Sequence, residues 1–426
     1  MKFQSELELI IAFLGFVLTV VTTIIAVIDI RAAIKNSKSN DLIISNQLLA
    51  NEYWKAHDNA LRLYSKVLRP DGLVVDDPDN PPPMLYKKGW MYEGTSLKKL
   101  SDIRLEYISP TEIKRDLKSQ RHLKKILPYP GKTFEQNLSL VCNSSLYNGR
   151  IYVPVEYTAG DETASLKITE DYFFGFVNTC LPVSYSDAYV LSSASNKPSM
   201  LRRKLNPFDF SNRISTIGMV TLTVLHNVED DENGSGITKY FILHRRSNDV
   251  TECKNMINAI PAGSYQPSFF GSEEKIEPLG YTVFREFGEE LLGYKEFSEI
   301  NNVKEIDKLF SADNMDLNDR IIYLGAAINP VNLYLELLTI LPMDLSDCRY
   351  QHIFGGNKLS QIKTRLTANE ESNELYVIEL TPNMIQHYSH MHLCTPALKQ
   401  IMTVFHKHYE QLSKALFPQE ERCVLQ

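Results

Sequence analysis

The sequence predicts an α/β protein tethered by one N-terminal transmembrane helix, with a mixed α/β domain over residues 41–205 and a second α/β domain over 210–415. Three observations predict it. A 20-residue stretch near the N-terminus is free of charge, helical and strand-like periodicities alternate after it, and composition shifts near residue 205. At 426 residues, 43% hydrophobic and 23% charged, the chain can bury two domain cores and is too apolar to stay disordered.

The anchor runs from Leu9 to Ile28 (LIIAFLGFVLTVVTTIIAVI). At 1.5 Å per residue it spans about 30 Å, the thickness of a bilayer's hydrocarbon core. A cleaved signal peptide would want a basic leading segment and a shorter apolar stretch. Here Glu6 and Glu8 outnumber Lys2. Arg31, Lys35 and Lys38 follow the stretch, so the positive-inside rule places the rest of the chain in the cytoplasm, on a single-pass inner-membrane protein.

Beyond the anchor, residues 41–68 carry helical spacing (Leu48, Leu49, Tyr53, Ala56, Ala60, Leu63), and RPDGLVVDDPDNPPP from Arg69 reads as a loop. A second helix is expected near Ser109 to Leu127, opened by an N-cap serine with proline at the first helical position. From Arg150 the pattern turns strand-like (RIYVPVEYT), and Tyr172 to Val177 (YFFGFV) is strongly apolar. Past the Ser-, Asn- and Pro-rich stretch 192–207, Ile214 to Val228 and Lys239 to Arg245 flank the turn EDDENGSG, a hairpin pattern. Further strands are expected at Arg320 to Ile328 and Asn332 to Leu341, and a last helix from Pro396 to about Leu416.

Charge is uneven. Residues 41–205 hold 22 Lys+Arg against 19 Asp+Glu, whereas residues 206–426 hold 19 against 30. That acidic half argues against a DNA or RNA binder, which would carry a basic surplus. The six cysteines, at 142, 180, 253, 348, 394 and 423, lack zinc-site spacing and read as thiols of a reducing compartment.

The chemistry lies in Gly271 to Gly293, GSEEKIEPLGYTVFREFGEELLG. A helix over Tyr281 to Leu292 would set Glu286, Glu289 and Glu290 on one face, and Val283, Phe287 and Leu291 on the opposite, buried one. Three clustered carboxylates repel one another, and a hard divalent cation resolves this while keeping coordination sites for phosphate. Arg285 adjoins the cluster and would fix the rotamer of Glu289 or Glu290. The residues alone thus point to a Mg²⁺–carboxylate site for pyrophosphate chemistry. The bland alternative is a solvated acidic helix face.

This segment resembles the Nudix box, G-x5-E-x7-R-E-U-x-E-E-x-G-U with U apolar. Gly271, Glu277, Arg285, Glu286, Phe287, Glu289 and Glu290 fit, while the late glycine falls on Leu292, with Gly293 one place on. Pro261-Ala262-Gly263 resembles the Pro-Gly-Gly that usually abuts the box, which would make Gly263 the equivalent of the first glycine and lengthen the loop to Glu277. The resemblance implies a Nudix-type α/β/α sandwich over 210–415 and hydrolysis of a nucleoside diphosphate linked to another moiety. It implies Glu286 and Glu290 as the principal ligands of Mg²⁺ or Mn²⁺, Glu289 as a further ligand or water-binding group, Arg285 as their orienter and Glu277 as loop support. It also implies a downstream carboxylate as extra ligand or base, with Glu336 first and Glu370 or Glu371 as alternatives.

Three other features have both a chemical and a plain reading. His387, His390 and His392 have a spacing that fits no familiar zinc pattern and read as structural. His244-Arg245-Arg246 could meet substrate phosphates or simply end a strand. The pairs Lys87-Lys88, Lys98-Lys99 and Lys124-Lys125 could face anionic headgroups, although a solvated surface explains them as well. In architecture the chain is similar to the membrane-anchored Nudix effectors of bacterial anti-phage systems that signal through cyclic oligonucleotides (CBASS). That likeness implies a cyclic oligonucleotide activator and a middle domain that senses it or assembles a homo-oligomer. Two rivals stand beside it: a constitutive membrane-associated nucleotide-sugar or dinucleotide pyrophosphatase, and a non-catalytic nucleotide-sensing module.

Overall fold

The computed structural model describes residues 2–68, 72–74, 81–117, 127–129, 131–142, 146–160, 162–192, 199, 201–231, 236–247, 253–267, 276–293, 317–366 and 372–417. A single helix of 50 residues, Lys2–Asn51, joins the expected anchor to the helical pattern after residue 41. At 1.5 Å per residue it is about 75 Å long, more than twice a hydrocarbon core. Its middle exposes a belt of apolar side chains including Leu18, Ile24, Ile28 and Ile34, and it is long and apolar enough to cross a membrane. Its far end is packed. Leu42 joins a core cluster with Phe134, Leu138 and Phe176, and Asn46 Oδ1 accepts from Tyr185 Oη at 2.7 Å. Glu52, at φ −127°, breaks the helix before Tyr53–Arg62 begins.

The strands are β1 Lys98–Lys99, β2 Ile103–Tyr107, β3 Arg150–Ala159, β4 Ala164–Tyr172, β5 Ile217–Asp230, β6 Gly236–Arg246, β7 Ile257–Ala259, β8 Ala262–Ser264, β9 Ile322–Ile328, β10 Leu335–Asp344 and β11 Ser372–Glu379. A small sheet runs β2-β4-β3. The large mixed sheet runs β1-β9-β10-β5-β6-β11, with β5 and β10 parallel and the hairpin β5–β6 antiparallel as expected. Pairing between β5 and β6 begins only at Val224, and the two short strands β7 and β8 fill the wedge, β7 on β6 and β8 on β5.

Side chains alternate along β5, so each face of the sheet buries its own core. Ile217, Met219 and Leu225 share a cluster with Leu279, Val283 and Phe287, whereas Leu222 and Val224 share another with Leu398, Ile401 and Phe405 from the C-terminal helix Pro396–Lys407. Helices therefore cover both faces. That last helix stops at Lys407, and a separate one, Tyr409–Leu416, follows.

The chain before residue 205 takes part in the same core. β1 pairs with β9, Leu85 N donates to Ile328 O at 2.9 Å, and Trp90, Tyr157 and Leu166 pack into the cluster that holds Met219. Buried cations hold the chain around residues 201–213. Arg202 pairs with Asp187 and donates to the Pro330 and Val331 carbonyls, while Arg213 donates to the carbonyls of Asn206, Pro207 and Asp209. Between Ser109 and Arg115 the expected helix is a single 3-10 turn, Pro110–Glu112, because Ile113 is already extended. The apolar Phe173–Thr179 is helical.

Candidate active site

The box helix is Leu279–Glu290, two residues earlier than its periodicity suggested, with Pro278 fixing the extended entry. Gly280 N donates to Asn318 Oδ1 at 2.7 Å, satisfying a first-turn amide that has no partner within the helix. Val283, Phe287 and Leu291 are buried, as a helix docking on the sheet requires. After Leu291 and Leu292, Gly293 adopts φ 71°, the left-handed region that favours glycine. The glycine that stands one place late in the box pattern thus sits where the backbone turns.

The acidic side of this helix is buried too. Glu286 is 6% exposed and Glu290 1%. Arg285 forms an ion pair with Glu286 and a second with Glu289 at 3.3 Å, and its Nη2 donates to Ser264 O at 3.1 Å. Burial alone would lower the Arg285 pKa, but the charges of Glu286 and then Glu289 outweigh it and hold the guanidinium above its ordinary value. Glu290 accepts from Ala262 N at 2.8 Å, so it clamps the helix to β8. Glu286 lies directly over Gly263, where a Cβ would come within 1.8 Å of its Oε1. Only a residue without a side chain allows that approach. Glu277 is partly buried ahead of the helix, and its carbonyl accepts from Tyr265 Oη. Gly271, Glu370 and Glu371 lie outside the described residues.

Glu336 arrives on β10. The parallel register sets it beside Gly218 of β5, which in turn pairs with Ser264 of β8. Glu336 is 6% exposed, and Asn329 Nδ2 donates to its Oε1 at 3.2 Å. Arg285, Glu286, Glu289, Glu336, Asn329 and Arg246 all line one cavity of about 440 Å³, a size ordinary for small-ligand sites. Glu290 is not among its lining residues. Of the basic run on β6, Arg246 faces this cavity, while His244 is buried in the sheet and neutral, its pKa pushed down to about 3 by burial and by the charge of Arg246.

Glu286, Glu289 and Glu336 are hard oxygen donors of the type Mg²⁺ and Mn²⁺ take, and the cavity gives a phosphate room beside them. By donor chemistry the residues fit such a cation. Yet among the described residues no group of three His, Cys, Asp or Glu side chains is gathered closely enough to hold a metal. Arg285 occupies the position of a counter-charge between Glu286 and Glu289.

His387 and His390 ride on the helix Pro382–His390, and His392 approaches the Trp54 ring at 6.1 Å. Among the lining residues, sequence reasoning passed over Asn258, Asn329 and Asn332. All three are buried; Asn329 and Asn332 carried a local signal, the asparagine-rich turn Asn329-Pro330-Val331-Asn332 before a strand, and Asn258 on β7 carried none. The chain matches no model of a known protein family, and no curated protein matches it in sequence.

Proposed function

We propose that this chain is a membrane-anchored, divalent-cation-dependent hydrolase of the Nudix type, cleaving a nucleoside diphosphate linked to another moiety. In this reading 210–415 is the Nudix sandwich, 41–205 is a sensing or assembly region, and both face the cytoplasm beneath the inner membrane. The observation that carries it is Glu286 packed over Gly263, bridged to Glu289 through Arg285, on the wall of a cavity that Glu336 also lines.

Glu286 and Glu289 would hold Mg²⁺ or Mn²⁺ from the cavity wall, whereas Glu290, expected as a principal ligand, clamps the helix to β8 through Ala262 N and does not line the cavity. When bound, the cation neutralises diphosphate charge and polarises a phosphoryl oxygen. Arg285 fixes the carboxylates it pairs with. Arg246, which lines the same cavity, meets a phosphate. Glu336 orients a water and takes its proton as a general base.

The anchor and the region before 205 favour an effector of an anti-phage system over a housekeeping enzyme, with a cyclic oligonucleotide as activator and a second copy of the chain as partner. One observation favours a different reading. Leu292 stands where the box pattern wants a glycine, a departure that a non-catalytic nucleotide sensor would tolerate.

The test is turnover by the full chain in detergent. Nucleotide sugars, dinucleotides and nucleoside triphosphates are offered with Mg²⁺ or Mn²⁺, with and without cyclic oligonucleotides. Activator-dependent release of nucleoside phosphates, lost in Glu286→Gln and Glu336→Gln, is expected. Turnover without activator would replace the effector by a constitutive pyrophosphatase. Saturable nucleotide binding with no product under any condition would leave only the sensor.

A further inference from the structure

Glu336 is held by a chain of hydrogen bonds that ends at Tyr53, two residues past the end of the long N-terminal helix. Asn329 Oδ1 accepts twice, from Val331 N at 3.0 Å and from Tyr53 Oη at 3.1 Å. An amide whose oxygen is engaged on one side must present its nitrogen on the other, and Nδ2 meets Glu336 Oε1. Tyr53 itself is buried in a small apolar cluster with Val331 and Met256, packed against Leu49 of the anchor helix. It starts the helix Tyr53–Arg62, directly after the break at Glu52. Arg202 grips the same turn from behind through the Pro330 and Val331 carbonyls, so the turn has little freedom to follow a displaced Asn329.

We infer that Tyr53 and Asn329 are positioning residues for Glu336, making the orientation of the cavity's carboxylate depend on the seating of the anchor-proximal helix. The inference rests on the hydrolase reading for its consequence, but not for its geometry. If the membrane helix is drawn or rotated relative to the sheet, Tyr53 leaves Asn329 and the amide keeps only the Val331 N bond of the two that aim its nitrogen at Glu336. A partner copy or an activator acting on the region before residue 205 would therefore reach the carboxylate without entering the cavity.

Two measurements test it on the full chain. In the first, melting temperatures of Tyr53→Phe, Glu336→Ala and the double variant form a cycle. The inference expects the tyrosine to contribute less once Glu336 is gone, a non-additivity above about 1 °C. In the second, Tyr53→Phe lowers kcat about tenfold and Asn329→Ala about a hundredfold, with KM within about twofold, as misplacement of a reacting group by an ångström would. Additive melting temperatures overturn the inference. So does an unchanged kcat in variants that are merely less stable. Coupled melting temperatures in a wild type that hydrolyses nothing would keep the relay and remove the hydrolase reading instead. If Asn329→Ala does not fold, the milder Tyr53→Phe carries both measurements.

Discussion

Replacing Gly263 by alanine tests the packing at the centre of the site. A Cβ there would lie 1.8 Å from Glu286 Oε1, 2.0 Å from its Cδ and 2.6 Å from its Cγ. An ordinary carbon contact needs ~3.5 Å, so the carboxylate would have to retreat by about 1.7 Å. It has nowhere easy to go, because Glu286 is buried and paired to Arg285, which is itself held by Ser264 O. Overpacking of this kind costs about 1–3 kcal/mol, and displacing a functional carboxylate by more than an ångström costs about a hundredfold in rate. We expect Gly263→Ala to be folded, destabilised by about 2 kcal/mol in denaturant titration, and nearly inactive. The cause is separable. In a Glu286→Ala background the obstructing atoms are gone, so the same Gly263→Ala change should cost little. A wild-type midpoint for Gly263→Ala, or a penalty that persists undiminished without Glu286, would refute the reasoning.

Removing the charge between the carboxylates should cost more. Arg285→Ala leaves Glu286 and Glu289 facing each other in a buried setting, and we expect a loss of about 3 kcal/mol by chemical denaturation, with Arg285→Lys recovering part of it. His244 imposes a pH dependence. Its folded pKa of about 3 lies below the unfolded value of ~6.5, so between those limits the unfolded chain binds a proton that the folded chain refuses. Stability therefore falls with acidification through that window, by about 2 kcal/mol from pH 7 to pH 5 for this one group, and His244→Gln should flatten the slope; an unchanged slope would show that other groups set it. For the anchor, Ile24→Arg with Ile28→Arg places two charges in the exposed apolar belt at about 3 kcal/mol each, which should shift the chain from the carbonate-resistant membrane fraction to the soluble one.

Some of this architecture was legible residue by residue. The uncharged run from Leu9 to Ile28, the β5–β6 hairpin around an acidic Gly-rich turn and the helix carrying Glu286 and Glu290 all follow from local periodicity and turn chemistry. Local signals failed where tertiary contact outweighed them. Ser109-Pro110-Thr111-Glu112 carries a helix-start pattern but makes one turn, and the anchor and the helical pattern after residue 41 are one continuous helix as far as Asn51. The burial of Glu286 and Glu290 was also invisible, since an acidic face reads as solvated unless something is known to cover it.

What the amino-acid order determines by itself is which groups share a face: period-2 and period-3.6 patterns act over a few residues, so each segment states its own geometry. Which faces meet is another matter. Glu336 lies beside Gly218 only because β5 and β10 pair in parallel at one register, and Glu286 can rest on Gly263 only because β8 fills the wedge that β6 leaves. Tyr53 touches Asn329 across 276 residues of chain. Strand register between distant segments comes from packing the whole core at once, and no local pattern carries it.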